Sequence, residues 1–94
     1  ERVIIGKYSL DTMAKILYFE DESLDVTQKA IELLVLLVQA DGEVVSSEEI
    51  KNRLWAAGQS ASDGSLRVYI TQLKKYFPDT ISKVRGVGYR WITD

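Results

Sequence analysis

Ninety-four residues with 46% hydrophobic and 28% charged content suffice for one small core and are too few for two. With no Cys and no His, disulfides, zinc fingers, thiol nucleophiles and imidazole bases are excluded, so no catalytic centre, metal site or cofactor is expected. The net charge of −2 hides an asymmetry: residues 1–60 carry six cations against eleven acids, whereas residues 61–94 carry six against three, which points to an anionic partner at the C-terminal end.

The chain opens on Glu1 with neither an initiator Met nor a leader and is expected to be an excised domain. Val3-Ile4-Ile5, Tyr8-Ser9-Leu10 and Lys15 to Phe19 are short β-branched and aromatic runs parted by turn residues. They predict an antiparallel meander within residues 1–25, with a short fourth strand near Ser23 to Asp25. Thr27 is placed to cap a helix over Gln28 to Ala40, apolar on nearly every side and therefore central to the core. Asp41-Gly42 ends that helix, Gly42 supplying the left-handed residue, and Val44-Val45 is an extended link. No apolar run reaches the roughly 18 residues needed to span a bilayer.

Ser46 followed three residues later by Glu49 forms a capping box for a second helix reaching about Trp55, with Ile50 and Leu54 inward. After a small-residue loop, Ala56 to Ala61, Ser62 or Asp63 caps a third helix through Phe77, stopped by Pro78. These two helices have helix-turn-helix spacing, so 27–77 reads as a three-helix core. Ile81 to Val84 and Tyr89 to Ile92 then form a hairpin, 81–92, turning on Gly86-Val87-Gly88. No helix follows those glycines to make them a phosphate loop.

At 100° per residue Leu66, Ile70, Leu73 and Phe77 make one narrow apolar stripe, so Gly64, Val68, Thr71, Gln72 and Lys75 face outward with Arg67 and Lys74 on one flank. Cationic, amide, hydroxyl and aliphatic groups together suit the base edges of a major groove. Taken alone, this strip reads first as the solvated side of an amphipathic helix, since most such helices carry charged outer faces. The adjoining hairpin changes the balance, because Lys83, Arg85 and Arg90 place three cations around a turn small enough for a minor groove. Trp55, Trp91 and Tyr76 read as packing residues, and Tyr69 as either core margin or backbone contact. The acids Glu20, Asp21, Glu22 and Asp25 lie in a polar connection, and Glu48-Glu49 in a first helical turn where acids complement the dipole, so an enzyme is not expected.

Three segments resemble the OmpR/PhoB-type effector domain of bacterial two-component response regulators. They are Leu33 through Gly42-Glu43-Val44-Val45-Ser46-Ser47-Glu48-Glu49-Ile50 to Trp55, Asp63 to Lys75, and Lys83-Val84-Arg85-Gly86-Val87-Gly88-Tyr89-Arg90. The resemblance covers nearly the whole of 1–94. It implies an α+β winged helix-turn-helix: an N-terminal antiparallel sheet, three helices and a C-terminal wing, normally preceded by a receiver domain absent from this chain. It further implies cytoplasmic transcription regulation by double-stranded DNA binding, with helix 63–77 in the major groove and wing 83–90 in the minor groove. Head-to-tail pairing on direct-repeat promoter sites and an RNA polymerase contact through 56–61 are implied as well. Carried over by position, Arg67, Val68, Thr71 and Gln72 face bases, Lys74, Lys75 and Lys83 face phosphates, and Arg85 enters the minor groove with Arg90 beside it. The sequence departs from the family pattern at Gly64, Arg67 and Thr71-Gln72. The alternative is a winged helix used for protein contact, its sheet or wing binding a partner, which the acidic pI of the chain favours.

Overall fold

The computed structural model describes residues 2–56, 59 and 62–92. Strands β1 (Arg2–Ile5), β2 (Tyr8–Asp11), β3 (Ile16–Phe19) and β4 (Glu22–Ser23) form an antiparallel meander in the order β1-β2-β3-β4. Alternation puts Leu10 opposite Leu17, both fully buried, while Ile4, opposite Ser9, is left 71% exposed on the outer face. Asp11 builds the β2–β3 turn: its carboxylate accepts from the amides of Ala14 (2.9 Å) and Met13 (3.1 Å). The Ala14 amide leads in holding that carboxyl below its ordinary pKa. The fourth strand begins one residue before the expected stretch and lacks Leu24 and Asp25. Glu20 (φ 48°) and Asp21 (φ 73°) make a two-residue turn with both φ positive, so pairing resumes at once with Phe19 opposite Glu22.

Thr27 caps α1 (Gln28–Ala40) by accepting from the Ala30 amide, as expected. The left-handed C-terminal position is taken first by Asp41 (φ 50°), whose N–H donates to the Val38 carbonyl, with Gly42 (φ 93°) following. A short polar side chain tolerates that conformation, which corrects the assignment of the cap to glycine alone. Ala30, Ile31, Leu33, Leu34 and Leu37 are buried, and α1 touches both other helices and strands of both sheets.

Val44-Val45 is not a mere link. β5 (Val45–Ser46) pairs with β7 (Gly88–Trp91), which also pairs with β6 (Ile81–Val84), so the wing sheet is three-stranded with β7 central. Ser46 then caps α2 (Ser47–Leu54) by accepting from the Glu49 amide at 3.0 Å. The reciprocal half of the capping box is replaced: the Glu49 carboxylate pairs with Arg53 at 3.6 Å. At the other end of α2 the Lys29 ammonium donates to the Leu54 carbonyl and lies over the Trp55 ring, tying α1 to an otherwise unsatisfied helix terminus.

Ser62 caps α3 (Asp63–Lys74), which ends three residues before the expected Phe77. The Tyr76 and Phe77 amides both bond to the Leu73 carbonyl, so the chain tightens into turns ahead of Pro78. Phe77 still reaches the core, with its ring 4.8 Å from Tyr8 and 5.3 Å from Trp91. No helix among the described residues is long and apolar enough to cross a membrane.

Candidate nucleic-acid interface

The apolar stripe Leu66, Ile70 and Leu73 is buried, and this turns Gly64, Arg67, Val68, Thr71, Lys74 and Lys75 to the surface. Val68 is 55% exposed, an aliphatic group held in water with polar neighbours on each side. Two expected base-facing residues are already engaged. The Thr71 hydroxyl donates to the Arg67 carbonyl at 2.9 Å. Gln72 is half-buried, and its Oε1 accepts from the Thr27 hydroxyl at 3.0 Å. The Lys75 ammonium lies 5.6 Å from the Tyr76 ring centre. Tyr69 and Tyr76 are both half-buried; Tyr69 packs against Trp55 (6.0 Å) and Tyr76 against Tyr8 (6.1 Å), which places Tyr69 at the core margin.

The wing tip is a four-residue turn in which the Val87 amide donates to the Val84 carbonyl at 3.0 Å, with Arg85 second and Gly86 third (φ 77°). A positive φ at the third position is what a glycine supplies, and it leaves Arg85 exposed at the tip. The Val87 carbonyl accepts from the Ser47 amide at 3.0 Å, anchoring the tip to the start of α2. Gly88 has a different task from Gly86. A Cβ there would stand 2.0 Å from the Val45 carbonyl oxygen, so glycine is required by the close approach of β5 and not by the turn.

Register separates the wing cations. Opposed residues share a face and successive ones alternate, so Ile81, Lys83, Tyr89 and Trp91 lie on the side of the buried core, whereas Ser82 and Arg90 lie on the other. Lys83 is thereby brought into the groove with Arg67 of α3, whereas Arg90 lies on the other face of the hairpin.

Between α2, α3 and the wing runs an open groove of about 580 Å³, lined by Lys51, Asp63, Arg67, Lys83, Gly86 and Tyr89 among others. Lys51 Nζ lies 3.0 Å from the Asp63 carboxylate and 3.3 Å from that of Glu48, bridging α2 to the first residue of α3. The Lys51 hydrogen bond and charge, followed by the charges of Arg67 and Lys83, hold the Asp63 carboxyl below its ordinary pKa. Asp63, and after it Glu48, in turn raise the Lys51 ammonium. Three cations from three elements thus converge on one anion. The sequence reading assigned no role to Lys51. Its only local signal was the Glu48–Lys51 spacing of three residues on one helix face. Of the expected polymerase loop, 56–61, residues 57, 58, 60 and 61 lie outside the described residues.

A family profile described as "Transcriptional regulatory protein, C terminal" matches residues 21–91. The transcriptional regulatory protein RprY of Bacteroides fragilis is 33% identical over 93 residues, 95% of this chain. The chain spans only 39% of RprY's length. The DNA-binding domain of E. coli CpxR superposes with a TM-score of 0.82 over 99% of this chain and 97% of that one, at 23% identity. The DNA-binding domain of AdeR, solved in complex with an intercistronic region, gives a TM-score of 0.77 at 18% identity, covering 98% of this chain and all of that one, 100%. At such identities these likenesses establish the α+β winged-helix fold.

Proposed function

This chain belongs to the family of transcriptional regulatory protein C-terminal domains, of the OmpR/PhoB type, and on that premise we propose that it binds double-stranded DNA sequence-specifically to regulate transcription. α3 enters the major groove, presenting Arg67, Val68, Thr71 and Gln72 to base edges. Lys74, Lys75 and Lys83 meet phosphates, and Arg85 at the wing tip enters the adjacent minor groove. The observation that carries this reading is the convergence of Arg67 on α3 and Lys83 on the wing in one groove, beside an exposed strip free of acids beyond Asp63.

The whole regulator is longer than this domain, by the proportions of RprY. In it the domain acts as the cytoplasmic, non-enzymatic output half of a two-component response regulator, pairing head to tail on direct repeats and contacting RNA polymerase through the segment 56–61. The chain's net charge of −2 opposes DNA, so one local face must supply the attraction and a single copy binds weakly.

Titration of the domain against promoter DNA at several salt concentrations tests this. With about four phosphates neutralised, log K falls against log salt with a slope near −4, an affinity loss of roughly 10² between 50 and 200 mM. A flat response refutes the reading and points to protein contact instead.

A further inference from the structure

Asp63, the first residue of α3, is an acid in the groove that the proposed function gives to DNA. The charges lining that groove are Lys51, Arg67 and Lys83 against Glu48 and Asp63, three positive and two negative. An acid in a first helical turn is ordinarily accounted for by the helix dipole. This one also faces the partner's side. Its side chain is 68% exposed, and one carboxylate oxygen takes the Lys51 ammonium at 3.0 Å. The other oxygen has no hydrogen-bond partner among the described residues. Lys51, and after it Arg67 and Lys83, keep the group ionised. An ionised carboxylate accepts hydrogen bonds through both oxygens and donates none.

We propose that Asp63 is a specificity-determining residue, which accepts from cytosine in the major groove and disfavours duplexes that offer no proton at that point. This rests on α3 being the major-groove helix, since the N-terminal residues of a recognition helix are the ones that reach base edges. A carboxylate brought against DNA is repelled by the phosphates around it, and only a donor on a base edge offsets that cost. Cytosine N4 supplies a donor with no acceptor beside it. Adenine N6 supplies one too, but the lone pair of N7 stands next to it and repels the carboxylate. Guanine O6 and N7 and thymine O4 are acceptors alone. Asp63 thus separates sites by a repulsion as well as an attraction, and the repulsion acts on every sequence that lacks the cytosine.

The test is selection of bound fragments from random double-stranded DNA by the wild-type domain, Asp63→Ala and Asp63→Asn, together with Kd on a duplex lacking the selected motif. The wild type enriches cytosine at one base pair where Asp63→Ala does not, a change in base ratio of about fivefold or more. On the motif-free duplex Asp63→Ala binds about threefold tighter or more at 50 mM salt, because the groove has lost a negative charge. Glu49→Gln removes the same charge from α2, where it pairs with Arg53 and does not line the groove. It leaves the selected motif as it was and gains less than Asp63→Ala on the motif-free duplex. Asp63→Asn keeps an oxygen for Lys51 and turns the preference from cytosine to adenine, whose N6 and N7 an amide meets together. Should Asp63→Ala fail to fold, Asp63→Asn carries the test by that switch. One motif shared by the wild type and the Asp63 variants overturns the proposal while DNA binding stands. So does a difference at a base other than cytosine, or an equal gain by Glu49→Gln. A wild-type domain that selects no motif overturns DNA reading and the proposal together.

Discussion

Lys83 and Arg90 are both exposed cations of one hairpin, yet a strand's period of two sends them to opposite faces. Lys83 shares the groove with Asp63 and Arg67, and Arg90 does not line it. Lys83→Ala is therefore expected to weaken binding and to make the salt slope shallower by about one, the signature of one lost phosphate contact. Arg90→Ala leaves the slope within error, and equal slope changes for both variants would show that the tip, not the face, decides which cations meet DNA. The outward residues of α3 were legible because helical periodicity fixes them once the apolar stripe is known. Lys51 was not legible, because its role depends on Asp63, twelve residues away on another helix.

Among the elements, the wing shows best how one residue type serves unlike purposes. In sequence Gly86 and Gly88 read as two turn glycines, but only Gly86 has a positive φ, and no atom lies within 4 Å of where its Cβ would be. Gly86→Ala costs the strain of a left-handed alanine, about 1 kcal/mol. At Gly88 the new Cβ would meet backbone atoms of Val45 and Ser46 at 2.0 to 2.9 Å, and backbone cannot rotate away as a side chain can. Gly88→Ala is expected to destabilise by about 3 kcal/mol or more, with β5 released from β7. Denaturant unfolding of the two variants compares them directly. If Gly86→Ala is the worse, β5 does not close the wing sheet in solution. Local signals located every other element to within three residues, because caps and turns are written in adjacent positions. Pairing of Val45 with Tyr89 is a contact across 44 residues, and no local pattern specifies it.

At the scale of the molecule, α1 joins the two sheets. The buried cluster runs from Leu10 and Leu17 of the meander through Leu33, Leu34 and Leu37 to Val45, Ile81, Tyr89 and Trp91 of the wing sheet. Leu37→Ala is expected to cost about 3 kcal/mol and to lower one common melting transition for meander and wing. Two separate transitions, followed by tryptophan fluorescence and far-ultraviolet circular dichroism, would divide the core. By itself the sequence determined the three helices, the N-caps of α1 and α2, the two β regions, the outward strip of α3 and the cationic C-terminal third. Each of these is governed by periodicity, capping or composition over a few neighbouring residues. Only the tertiary structure decided the third strand of the wing, the separation of Arg90 from Lys83, the Lys51–Asp63 bridge and the Thr27–Gln72 hydrogen bond. These are juxtapositions of residues distant in the chain, set by packing and register, whose chemistry does not exist until the core has formed.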